Sequence, residues 1–300
     1  MKILLLGKGG QVGWELQRSL AVLGDLFAYD HPEVDFAQPE ALRALVQKIQ
    51  PDFIVNSAAY TAVDKAESDT ETARLVNAES VKVLAEEAKK LNAWLIHYST
   101  DYVFDGTKVG QYFEDDLTNP QSVYGKTKCE GEELLRQTHA NHLIFRTSWV
   151  YAARGGNFAK TMLRLAKDKT ELSVVADQIG APTSAELLAD VTALAIQKIQ
   201  QSQNASSLAG TYHVIASGET SWHEYAQYVF ELAIARGAKL SLTPAQVKPI
   251  PTEAYPVPAP RPKNSRLNTQ KVQQTFAVQL PDWRYHVTRL IDELVGQGAL

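Results

Sequence analysis

Three hundred residues, 45% hydrophobic and 21% charged, suit an ordinary globular chain with one large α/β core or two modest ones. A formal charge of −4 leaves no basic surplus to neutralise phosphates, which argues against a nucleic-acid partner. No apolar run approaches the roughly 18 residues of a membrane helix, so no membrane partner is expected either.

The N-terminal MKILLLGKGG has too short an apolar run for a signal peptide and meets glycines where a cleavage region should stand. The single cysteine, Cys129, permits no internal disulfide and fits a reducing cytoplasm. It follows Lys128 on an expected helix with no histidine near it in the sequence, so it reads as a packing residue.

The first half of the chain alternates strand and helix signals. KILLLG (2–7) is an apolar run ended by glycine, as in a strand buried on both faces. QVGWELQRSLAVLG reads as a helix closed by Gly24. LFAYD (26–30) is a strand, 39–50 a helix with Pro39 in its first turn, and DFIVNSAA (52–59) a strand. A long helix over about 69–92 precedes the strand AWLIHYS (93–99). After a loop, Asn119-Pro120 opens a helix running to about 139, and HLIFRTSWV (142–150) is a further strand. Such alternation predicts parallel pairing with right-handed crossovers.

The second half is less regular. NFAKTMLRLAKD and SAELLADVTALAIQKIQ read as helices and GTYHVIAS as a strand. Residues 244–262 hold seven of the 13 prolines, too many for a helix. Helical segments at 269–275 and 281–297 follow, so the proline-rich stretch is expected to be an ordered connection over the surface.

GKGGQVG places Gly7, Gly10 and Gly13 at three-residue steps between a strand and a helix. Small residues there let the backbone approach a pyrophosphate, and the helix N-terminus supplies free N–H groups and partial positive charge. Gln11 and Val12 lie in the same turn. Asp30, at the end of the next strand, stands where a carboxylate would take the adenosine ribose hydroxyls. VYGKTK sets Tyr124 and Lys128 four apart, on one helix face.

The GxxGxxG spacing, the NSAA turn (56–59), Thr100 in YSTD and the Tyr124/Lys128 pair follow one another in the order of the short-chain dehydrogenase/reductases, which they resemble. HYSTDYVFDG, NPQSVYGKTKCEGE, FRTSWVYA, NFAKTMLRLA, DQIGAPTSAELLAD and RPKNSRLNT narrow the likeness to the dTDP-4-dehydrorhamnose reductase family, from Met1 to about residue 295. The resemblance implies a Rossmann-type doubly wound parallel sheet over 1–150 with a smaller substrate-binding lobe over 151–300, some of whose elements return to the first domain. It implies reduction of the carbon-4 ketone of dTDP-4-dehydro-L-rhamnose by NADPH or NADH. Asp35, Phe36, Ala59, Tyr60, Thr61 and Tyr98 map to positions near the coenzyme, and Asp101 and Trp149 to the sugar pocket. It further implies a homodimer with Mg²⁺ held by Glu15, Glu186 and Asp190 near the contact.

Ketone reduction needs a hydride on carbon and a proton on oxygen. Tyr124 is the expected acid, Thr100 orients the ketone, and Lys128 holds the nicotinamide ribose. Lowering a phenol from about 10 towards ~7 is worth about 4 kcal/mol. A cation at ~5 Å contributes roughly 3 kcal/mol at an effective dielectric of about 20, so Lys128 is expected to depress the phenol. Three readings compete: a nucleotide-sugar epimerase or other reductase, a 4,6-dehydratase, and a non-catalytic regulatory subunit. A dehydratase needs an acid–base pair after the threonine, and here Tyr102 follows Asp101. A regulatory protein need not keep the complete Thr100–Tyr124–Lys128 set.

Overall fold

The computed structural model describes residues 1–298. Its first half contains β1 (Lys2–Leu6), α1 (Gln11–Leu20), β2 (Asp25–Tyr29), α2 (Pro39–Ile49), β3 (Phe53–Asn56), α3 (Val63–Ala66), α4 (Thr70–Arg74), α5 (Ser80–Leu91), β4 (Trp94–Thr100), α6 (Val123–Thr138) and β5 (His142–Thr147). Then come β6 (Val150–Tyr151), α7 (Phe158–Asp168), β7 (Leu172–Val175), β8 (Ile179–Gly180), β9 (Thr183–Ser184), α8 (Ala185–Gln201) and β10 (Gly210–His213). β11 (Thr220–Ser221), α9 (Trp222–Ala235), β12 (Val247–Ile250), α10 (Gln270–Phe276) and α11 (Trp283–Gly296) complete the order.

Six parallel strands form one sheet in the order β10-β5-β4-β3-β1-β2. The chain winds outward from β1 in both directions, so a crevice opens beyond the carboxyl ends of β1 and β3, the switch point of a doubly wound sheet. In β1, Ile3 and Leu5 join one apolar cluster and Leu4 and Leu6 the other, as period-two alternation demands. All four have no solvent exposure, and each contributes about 1.5–3 kcal/mol by burial. β10, from late in the chain, pairs with β5, and α8 packs on α1.

Several expected boundaries move, for local reasons. α1 stops at Leu20 and a turn carries the chain to Gly24. α6 starts at Val123, three residues after Pro120, because the Ser122 hydroxyl accepts the Gly125 N–H at 3.1 Å and caps the helix there. The long helix over 69–92 is broken by a π-helical turn, Leu75–Glu79. That turn brings Asn77 inward, where its side chain accepts the Tyr60 N–H and donates to the Tyr60 carbonyl and the Thr127 hydroxyl. The proline-rich stretch is ordered and carries β12, parallel to β7, between two 3-10 turns. α9 and β7 were not expected. α9 buries Tyr225, Ala226, Val229, Phe230 and Ala233 and is too uniformly apolar to show a clear helical stripe.

Candidate active site

A cleft of about 510 Å³ lies at the switch point, and the ends of β1 to β5 supply its walls. Gly7, at φ +85°, lets the backbone turn under Ala58; a Cβ there would stand 2.7 Å from the Ala58 nitrogen. A Cβ on Gly13 would stand 1.9 Å from the Gly7 carbonyl oxygen, so the strand end and α1 meet only because both residues are glycine. Gly10 is the N-cap of α1 and no side chain caps that terminus. Gln11, Val12, Phe36, Ala59 and Thr61 also line the cleft. Asp30 does so while accepting the Gly9 N–H at 2.6 Å and the His31 N–H at 2.8 Å.

Thr100, Tyr124 and Lys128 line the same cleft from β4 and α6. Thr100 is buried, donates to the Asp101 carboxylate at 3.0 Å and accepts the Tyr102 N–H at 3.2 Å. Lys128 is 1% exposed. Its Nζ lies 2.6 Å from the Tyr98 carbonyl oxygen and 3.1 Å from His97 Nε2. Burial pushes the ammonium down to about 7, against a smaller upward pull from Glu132. Burial pushes the Tyr124 phenol up to about 12, only partly offset by its hydrogen bond with Thr100.

The expected depression of this phenol by Lys128 does not appear, because burial dominates its shift. Desolvation disfavours the charged form of both groups and is the largest cause for each.

Of three other expected positions, Tyr98 lines the cleft, and Tyr60 and Asp35 are not among its lining residues. The Tyr98 hydroxyl bonds Thr192 on α8 at 2.5 Å. Tyr60 directs its hydroxyl to Asp69 at 2.9 Å and lies outside the cleft wall. Asp35 is exposed, outside that wall, and accepts the Ala37 N–H. Asp101 is 2% exposed, and besides Thr100 it accepts the Ser265 hydroxyl at 2.5 Å. Burial pushes its carboxyl up to about 6, against the pull of those two bonds.

Trp149 adopts φ +50° and stacks on Trp222 of α9, 3.6 Å between ring centroids and 15° from parallel. Both rings line a second, apolar cavity of about 550 Å³, which Arg261 and Ser265 also line. Trp222 and Ser265 were missed as site residues. Trp222 stands on the helix that periodicity did not reveal, and Ser265 lies in RPKNSRLNT, a segment with no chemical signature of its own.

Glu15, Glu186 and Asp190 do not converge on one cation position. Arg18 bonds Glu15 at 3.5 Å and Asp190 at 3.1 Å, the Ser19 hydroxyl also donates to Asp190, and Arg289 reaches both oxygens of Glu186 at 3.2 Å. The carboxylate that shares a small cavity with Glu15 and Glu186 is Glu293. Among the described residues no group of three or more His, Cys, Asp or Glu side chains is arranged to hold a metal. Within the single chain, Arg18 and Arg289 pair with these carboxylates, while Glu15, Glu186 and Glu293 line one small cavity. Nor is any described helix long and apolar enough to cross a membrane.

The model of the RmlD substrate binding domain family matches residues 1–295. The chain is 56% identical to the dTDP-4-dehydrorhamnose reductase of Escherichia coli strain K12, over 100% of both chains. A solved dTDP-4-dehydrorhamnose reductase from Clostridium acetobutylicum is 36% identical, with a TM-score of 0.90 over 98% of this chain and 100% of that one. The Bacillus anthracis enzyme, solved in complex with NADP, is 34% identical, with a TM-score of 0.86 over 97% and 99%. By a family match over almost its whole length, and by full-length relatives whose fold it shares, this chain belongs to the RmlD family of dTDP-4-dehydrorhamnose reductases.

Proposed function

We propose that the chain reduces the 4-keto group of dTDP-4-dehydro-L-rhamnose to dTDP-L-rhamnose, using NADPH or NADH. The observation that carries this reading is the convergence of Thr100, Tyr124 and Lys128 on a glycine-floored cleft at the switch point. The residues present fit a dinucleotide: Gly7 and Gly13 leave no room for a Cβ, and the uncapped start of α1 offers N–H groups to a pyrophosphate. Gly10, Gln11 and Val12 would hold the pyrophosphate, and Asp30 the adenosine ribose. When bound, the coenzyme supplies the hydride.

The chain's own residues do the rest. Thr100, fixed by Asp101, orients the ketone oxygen. Tyr124, protonated across the physiological range, gives its proton to that oxygen as negative charge develops. Lys128 grips the nicotinamide ribose and stabilises the phenolate left behind. Trp149 supplies a flat apolar wall for the sugar, while Asp101 acts on it through Thr100. The second cavity, apolar with Arg261 at its edge, suits the nucleoside diphosphate. A dehydratase is disfavoured because Tyr102 stands where a second carboxylate is needed.

Residues 1–150 serve as the coenzyme domain and 151–300 mainly as the substrate lobe. The protein acts as a cytoplasmic homodimer. Consumption of reduced coenzyme with dTDP-4-dehydro-L-rhamnose tests the reading. Coenzyme binding without turnover of any nucleotide-sugar ketone would reject it in favour of a regulatory role.

A further inference from the structure

His97 has no solvent exposure and no part in the mechanism above, yet it touches Lys128. Asn56 and His97 are register partners on β3 and β4. Asn56 Nδ2 lies 3.2 Å from His97 Nδ1, and His97 Nε2 lies 3.1 Å from Lys128 Nζ. The orientation of the Asn56 amide is fixed from the other side, because its Oδ1 accepts the Ala58 N–H at 3.2 Å.

Hydrogen-bond accounting then determines the chain. An amide nitrogen carries only hydrogens, so His97 Nδ1 must accept. Burial holds His97 well below its ordinary range, so the ring is neutral and its one hydrogen sits on Nε2. That N–H points at Lys128. An ammonium has no lone pair to receive it, whereas an amine does, and an amine still keeps a hydrogen for the Tyr98 carbonyl at 2.6 Å.

We propose that Asn56 and His97 are positioning residues that hold Lys128 as a hydrogen-bond acceptor, and hence as an uncharged amine, in the coenzyme-free protein. The other titratable groups around Lys128 are Glu132 on its own helix and, in the wall of the same cleft, Tyr124, Tyr98, Asp101, Tyr102 and Asp30. Only Glu132 favours the ammonium, and Arg146 answers its charge with two bonds, at 2.9 and 2.7 Å. Lys128 thus enters each cycle ready to take up a proton from solvent water and return it to the Tyr124 phenolate. This last consequence rests on the reductase reading; the tautomer does not.

Two measurements decide the matter. In wild-type protein without coenzyme, ¹⁵N NMR of the His97 ring should show a protonated Nε2 and a bare Nδ1. The opposite tautomer overturns the proposal whatever the protein catalyses. In Asn56→Ala, the ring is free to turn its hydrogen to Nδ1 without any charge being added. Lys128, followed by ¹³C NMR and assigned by Lys128→Met, should then titrate about one unit higher, a tenfold gain in proton affinity. The corresponding limb of kcat/KM against pH, which reports the free enzyme, should move with it. Titration at the wild-type pH in Asn56→Ala also overturns the proposal, and if that variant does not fold the wild-type tautomer decides alone. A shifted lysine with no shift in kcat/KM would leave the hydrogen-bond chain standing and count against the catalytic role of Lys128.

Discussion

Tyr124 and Lys128 lie one helical turn apart, and burial drives both towards their neutral forms. Tyr124→Phe removes only the hydroxyl, so the fold and coenzyme affinity should survive while kcat falls about 10²- to 10⁴-fold, the usual worth of a positioned acid. Full activity in that variant would exclude Tyr124 as the acid. Lys128→Met should abolish turnover, weaken coenzyme binding and stabilise the protein. A lysine at about 7 when folded and at its ordinary 10.5 when unfolded costs stability wherever the unfolded chain is protonated more readily than the folded one. That cost is complete below pH 7 and fades as pH rises towards 10.5. The gain should be about 1–4 kcal/mol at pH 6 and close to nothing above pH ~10.5, read from denaturant midpoints of the two proteins. A gain independent of pH would mean packing, not charge, is responsible. The pair was legible not from its spacing, which chance also supplies, but from its place in the ordered set of motifs that the chain shares with the short-chain dehydrogenase/reductases. Its electrostatics were not, because a sequence records which residues neighbour one another along a helix but not how dry their site is.

Helix α6 carries this chemistry, and its seat depends on glycine. A Cβ on Gly131 would stand 2.1 Å from the Asn77 carbonyl oxygen, and one on Gly125 would stand 2.3 Å from that of Tyr102. Both contacts are with backbone, which cannot swing aside. Gly131→Ala should therefore destabilise by about 1–3 kcal/mol or more, beyond any gain in helix propensity. Because Asn77 also holds the Tyr60 backbone, the coenzyme KM should rise as well. A variant as stable as wild type, by thermal melting, would show that the π-helical turn can yield. The main strands, and the helices between them, were readable because each shows a single period between glycine or proline stops. The π-helical turn was not, since LVNAE continues the pattern of the helices around it and only Gly131, distant in sequence, requires the shift. α9 escaped because a helix apolar on most sides carries no stripe.

Across the molecule, residues from the C-terminal half complete a site that the first half begins. The Ser265 hydroxyl reaches Asp101, Arg261 bonds Asp64 at 2.8 Å, and Asn264 donates to the carbonyls of Lys108 and Gly110. Ser265→Ala should loosen Asp101 and, through it, Thr100. The expected effect is a fall of about tenfold in kcat/KM for the sugar nucleotide, the equivalent of one neutral hydrogen bond, with coenzyme affinity unchanged. Equal losses for both ligands would point instead to general misfolding. Such a link joins residues 164 apart in sequence, and nothing in either segment alone announces it.

Assembly belongs to the same scale. Trp14 on α1, Leu194 on α8 and Tyr285 on α11 are 47%, 46% and 58% exposed; Trp14 precedes Glu15, Leu194 lies about two turns beyond Glu186, and Tyr285 lies about one turn before Arg289 on their helices. A second copy covering this face would remove all three from water, each burial contributing up to about 1.5–3 kcal/mol. Light scattering should therefore give about twice the chain mass of 33.1 kDa. Because Arg18 pairs with Glu15 and Asp190 and Arg289 with Glu186, EDTA should leave that mass unchanged. Leu194→Glu would place an unpaired carboxylate in the contact and should shift the protein towards monomer. A monomeric wild type would discard this face as an interface, and dissociation by EDTA would mean that a cation bridges the two copies after all.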